Sequence, residues 1–171
     1  MTELQYPIGK YHFATAFDNQ TIADKIETIA AFPAAMKALA DKASAEQIDT
    51  PYRPEGWTVR QVINHCADSH LNAYARFKRV LTEDVPTINP YDQNKWAETD
   101  DGKYGDIEVS LSLIEALHNR WARFMRSLDE SAFENQYKHP EHPGTPQLIF
   151  MLGMYAWHCE HHLAHVKLVV K

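Results

Sequence analysis

Apolar residues along this chain recur mostly at intervals of three and four, the spacing that lines one face of an α-helix; no run alternates long enough to mark a strand. From Thr21 to about Lys42 the stripe is Ile22, Ile26, Ile29, Ala30, Met36 and Leu39, and Pro33 is predicted to kink that first helix. A connector with Pro51, Pro54 and Gly56 follows. Thr58 with Gln61 three residues on forms a capping box that opens a second helix running to about Leu81. The segment from Thr82 to Asp106, with Pro86, Pro90, Gly102 and Gly105, exceeds a simple turn and is predicted to cross one end of a bundle, where such loops often help close a site.

Asp106 caps a third helix reaching Leu128, with Ile107, Leu111, Ile114, Leu117, Trp121, Phe124 and Leu128 on its inner face. After a loop containing His139, Pro140, His142, Pro143 and Gly144, Thr145 followed by Pro146 predicts an N-cap with proline in the first helical position. The fourth helix then runs nearly to the C-terminus. Residues Met1 to Asn19, with Pro7, Gly9 and several aromatics, suggest an arm wrapped around the outside. The expected architecture is all-α, a four-helix bundle in a single domain spanning residues 1–171.

Composition narrows the classes of partner. A 44% hydrophobic and 23% charged chain of 171 residues is that of a globular protein, and a net charge of -6 offers no broad basic surface for nucleic acid. The longest apolar stretch, Leu148 to Trp157, is about half of the roughly 20 residues that span a bilayer. Cys66 and Cys159 are the only cysteines, and the chain opens without a basic segment followed by an apolar run. A cytoplasmic protein without membrane or nucleic-acid partners is therefore expected, its thiols read as small buried groups.

Histidine changes the picture most. Ten are present, and four fall between His158 and His165. Residues four apart share a helix face and can share a ligand, which leaves two pairs, 158 with 162 and 161 with 165. On a helical wheel His162 and His158 lie about 40° and 80° from the centre of the apolar face, and His165 and His161 about 100° and 140°, so the first pair points further inward. An open catalytic site usually has three protein ligands. The second helix offers His65, on a polar stripe with Ser69, Asn72 and Arg76 that reads as the wall of a cleft, and His70, nearer the middle of the apolar face. Periodicity does not decide between them; a hydrogen-bonded core histidine is the plainer reading of His70. Trp121, Phe124 and Tyr155 read as core, and Arg76 as either an ion-pair member or an anion contact.

Three longer segments carry a resemblance: PYRPEGWTVRQVINHCADSH from Pro51, NPYDQNKW from Asn89 and MYAWHCEHHLAH from Met154. With these the chain resembles the DinB/YfiT family, in its YfiT-like branch of metal-dependent hydrolases, over nearly its whole length. The resemblance implies up-down-down-up connectivity with a long crossover, a homodimer, and one nickel or zinc ion held by three histidines that match His65, His158 and His162. It implies a hydrolase acting on a small-molecule substrate; some members of the wider family look like thiol S-transferases that use a low-molecular-weight thiol such as bacillithiol. A metal-stabilised binding module is the non-enzymatic alternative. Cys66 stands where similar proteins commonly carry leucine, and Asn64 where they often carry histidine. In H-E-x-x-H peptidases the glutamate adjoins the first ligand; here that position is Cys159 and Glu160 faces away, which argues against peptidase chemistry. No residue is assigned as general base.

Overall fold

The structure is a computed structural model in which residues 2–12, 19–141 and 143–171 are described. Its helices, in chain order, are α1 (Thr2–Gln5), α2 (Asn19–Ala40), α3 (Ala45–Ile48), α4 (Val59–Thr82), α5 (Gln93–Ala97), α6 (Asp100–Tyr104), α7 (Ile107–Arg126) and α8 (Leu148–Val169), with a 3-10 turn at Glu130–Glu134. The described residues form no strand, only isolated bridges such as Gln136 with Gln147. None of these helices is long and apolar enough to cross a membrane.

The long helices α2, α4, α7 and α8 form the bundle, and cross-contacts fix their directions. Arg126 of α7 pairs with Glu27 of α2 and Lys37 of α2 approaches Glu108 of α7, so these two run antiparallel. His70 meets His118, while Tyr74 further along α4 meets Arg120 further along α7, so α4 and α7 run parallel. His65 faces His158 and Arg76 meets Tyr155, so α8 opposes α4. The order is up-down-down-up, with α2 and α4 on one diagonal and α7 and α8 on the other. The core between them holds Ile29, Phe32, Met36, Ile63, Phe77, Ile114, Trp121, Met125, Leu148 and Leu152, all essentially inaccessible to solvent. Each such large side chain contributes about 1.5–3 kcal/mol by leaving water.

Local signals explain most boundaries. The Thr58 hydroxyl accepts from the Gln61 N–H, and the Gln61 side chain accepts from the Thr58 N–H, the predicted capping box. Asp106 caps α7 by accepting from the Glu108 N–H. The last long helix starts later than the Thr145–Pro146 pair predicts, at Leu148 with Gln147 as its cap residue. The cause is tertiary: Pro146 O accepts from Tyr137 N–H and Leu148 N–H donates to Asn135 O, which ties this stretch to the preceding loop in extended form. The chain runs helically through Pro33. The long crossover folds into α5 and α6, held against the first turns of α4 by Gln61 donating to Ala97 O (2.9 Å) and Asn64 donating to Asp101 O (3.0 Å) and Gly102 O (3.1 Å). Gly102 is required there, because a Cβ would stand 2.5 Å from Trp96 O. The side-chain amide nitrogen of Asn64 is thereby spent on the crossover, while its buried Oδ1 has no hydrogen-bond partner among the described residues.

Candidate metal centre

His65 of α4 and His158 and His162 of α8 converge: one ring nitrogen from each lies within 4.8 Å of the others, and all three residues are buried. Among the described residues no fourth histidine, cysteine or carboxylate joins the group. The Nε2 atoms of His65 and His158 are 3.3 Å apart. Two nitrogens each about 2.0–2.1 Å from a tetrahedral cation stand about 3.3 Å apart, so the spacing fits a zinc-type ion. The donor chemistry fits as well, since burial holds the rings neutral with lone pairs free to bind. It pushes His65 down to about 4 and His158 and His162 well below the ordinary histidine value, with the neighbouring rings adding to the effect.

The competing pair is also buried. His161 and His165 are shielded although the wheel turns them away from the apolar face, because elements distant in sequence cover them. The arm lies against α8, with Tyr6 stacked on His161, Gln5 O accepting from His165 (3.1 Å) and the Tyr52 ring stacked on His165 at 3.9 Å. Neither residue enters the three-histidine group. His70 is a fully buried core histidine, hydrogen-bonded on both sides to His118 and His158. His118 is the participant that sequence reasoning missed. Its signal was present: it lies four after Ile114 and three before Trp121, on the buried stripe of α7.

Beside His158 opens a cleft of about 590 Å³ lined by Ser69, Arg76, Tyr91, His139 and Tyr155 among others. Two of the polar positions predicted to wall it, Ser69 and Arg76, do so; Asn72 instead donates to Asp68 O. Arg76 forms no ion pair among the described residues and donates to Tyr155 Oη (3.2 Å) and Asn89 O (2.7 Å), with its guanidinium over the Tyr91 ring. Trp121 is core, whereas Tyr155 is core on one edge and cleft wall on the other. His142 lies outside the described residues. Cys66 and Cys159 are fully buried, and burial pushes both thiols up, so neither is a nucleophile at neutral pH.

Asp68, half-buried on α4, has its carboxyl pushed up to about 6, by burial first and by Asp101 second. Its folded value lies above the ordinary 3.8, so ionisation opposes folding; that penalty develops as pH rises from 3.8 through about 6. Asp68→Asn is expected to raise the Tm at pH 8, with the gain shrinking as the pH is lowered through that window. A lower Tm at pH 8 would show that the carboxylate has a favourable partner.

Residues 28–166 match the DinB superfamily. A candidate metal-dependent hydrolase of Oceanobacillus iheyensis is 47% identical over 167 residues, 98% of this chain and 96% of the relative. The candidate metal-dependent hydrolase YfiT of Bacillus subtilis is 42% identical over 163 residues, 95% of this chain and 92% of its own length. A solved structure of YfiT from Bacillus subtilis, described as a probable metal-dependent hydrolase with an unusual four-helix bundle topology, matches with a TM-score of 0.93 at 41% identity, covering 96% of this chain and 94% of that one.

Proposed function

Because the chain belongs to the DinB superfamily, we propose that it is a metal-dependent hydrolase in which His65, His158 and His162 hold one divalent transition metal, nickel or zinc. The observation that carries this reading is the meeting of three imidazole nitrogens from two helices within 4.8 Å, with no fourth donor in the group among the described residues. Three protein ligands without a fourth are the pattern of catalytic rather than structural sites. The names of the relatives point the same way.

A cation held by His65, His158 and His162 would supply Lewis acidity, toward a substrate oxygen or toward water near neutral pH. The neutral rings contribute no charge of their own, so that acidity is not diluted. Arg76 offers positive charge in the cleft, and burial pushes Tyr91 up to about 12 and raises Tyr155 too, so both hydroxyls stay protonated as donors. Such donors stabilise negative charge developing on a substrate oxygen. Both thiols are buried, so neither supplies the attacking group.

The test is to incubate metal-depleted, zinc-loaded and nickel-loaded protein with a panel of activated esters and other electrophiles, with and without a low-molecular-weight thiol. Hydrolysis is expected only with metal and without need of thiol. Turnover that appears only with thiol, as a thioether or thioester product, would replace hydrolysis by S-transfer. A protein that takes up no metal would end the reading.

A further inference from the structure

Among the described residues, His65, His70, His118, His158, His161, His162 and His165 are more than a three-ligand centre needs, and the surplus is arranged in order. His118 Nδ1 lies 2.7 Å from Ile29 O, His118 Nε2 lies 2.8 Å from His70 Nδ1, and His70 Nε2 lies 3.0 Å from His158 Nδ1. A carbonyl oxygen only accepts, so the proton of neutral His118 sits on Nδ1 and its Nε2 accepts. His70 must then donate from Nδ1 and accept at Nε2, and His158 must donate from Nδ1. The Nε2 of His158 is left with its lone pair, on the atom that faces His65 Nε2 at 3.3 Å. Both linking rings, His70 and His118, are fully shielded from solvent, so these hydrogen bonds have no competition from water.

The carbonyl that starts the series is available for a local reason. In α2 the residue four after Ile29 is Pro33, which has no N–H to donate back, so Ile29 O lacks its helical partner and takes His118 instead. A second series reaches the other ligand of α8. Gln5 O, at the C-terminal end of α1, lies 3.1 Å from His165 Nε2, and His165 Nδ1 lies 3.3 Å from His162 Nδ1. The same counting leaves Nε2 of His162 with its lone pair.

We propose that His70, His118 and His165 are positioning residues for the metal centre: two chains of hydrogen-bonded imidazoles, each ending on a backbone carbonyl, fix the tautomer and ring orientation of His158 and His162. This rests on the metal reading above. Groups hydrogen-bonded behind a ligating histidine typically carry about 10–100-fold of metal affinity.

Two measurements test it. Zinc affinity is measured by competition with a chromophoric chelator for the wild type, His118→Leu and His118→Gln. Leucine removes the acceptor that dictates the His70 proton, whereas the glutamine amide oxygen can replace it. His118→Leu is expected to bind zinc about 10-fold more weakly, and His118→Gln close to the wild type. Separately, long-range 15N–1H correlation spectra of the metal-free wild type at pH 7.5 are expected to place the proton of His70, His118 and His158 on Nδ1. Leucine at 118 with wild-type zinc affinity, or a proton on Nε2 of His70 or His158, would overturn the proposal. If the leucine variant does not fold, the spectra of the wild type decide alone. Failure of the wild type to bind zinc would instead end the metal reading, and the spectra would still decide the tautomers.

Discussion

The metal-free protein is expected to unfold cooperatively as the pH is lowered from 6.5 toward 4, with a midpoint well above that of an ordinary acid denaturation. Among the described residues seven histidines are held below the ordinary value of 6.5: His65, His118, His161 and His165 near 4, and His70, His158 and His162 well below 6.5, in every case with burial as the first cause. For a base whose value is depressed on folding, both states are neutral above 6.5 and nothing is lost there. Below 6.5 the unfolded chain takes up protons that the folded one refuses. Each group that titrates near 4 when folded forfeits about 2 kcal/mol by pH 5. A domain is stable by only about 5–15 kcal/mol in total, so a few such groups are enough. The steepness of the transition counts the protons taken up on unfolding, and several are expected. Circular dichroism and tryptophan fluorescence against pH measure it, and added zinc should move the midpoint to lower pH because it binds only the folded form. A metal-free protein with the same Tm at pH 7 and pH 4.5 would show that the rings are not held neutral by burial.

The second large effect separates the two histidine pairs of α8. His162→Ala removes one of the three converging nitrogens, and the affinity for zinc is expected to fall by more than the roughly 100-fold that bounds loss of a group behind a ligand. His161→Ala removes a ring that is equally buried on the same helix but lies outside the group, and one equivalent of metal should be retained. Metal analysis after gel filtration, with competition titrations, reads both variants. A full equivalent in His162→Ala, or its loss in His161→Ala, would reassign the site to the other pair.

Much of this arrangement was legible in the sequence because it depends on local chemistry. The capping box at Thr58 and Gln61 and the Asp106 cap depend on neighbours three residues away or fewer, and the stripe on α7 follows from periodicity alone. Where the sequence misled, the deciding partner was remote. The start of α8 is set by Asn135 and Tyr137, which hold Pro146 and Leu148 in extended register against the cap signal. His161 and His165 are buried by Tyr6, Gln5 and Tyr52, so the wheel of α8 alone could not reveal that both pairs face inward. His65 and His70 could not be ranked by periodicity because both point inward, one toward α8 and the other into the line between α8 and α7. The use of Pro33 was equally hidden: read as a kink, it also frees a carbonyl whose partner lies 89 residues further along the chain.

The most direct test is X-ray absorption at the zinc edge of protein loaded with one equivalent. Three imidazole nitrogens at about 2.0–2.1 Å, with the remaining scattering from light solvent atoms, are predicted. A sulfur shell at about 2.3 Å, which would bring in Cys66 or Cys159, or a fit that requires four imidazoles, would contradict an open centre built from His65, His158 and His162.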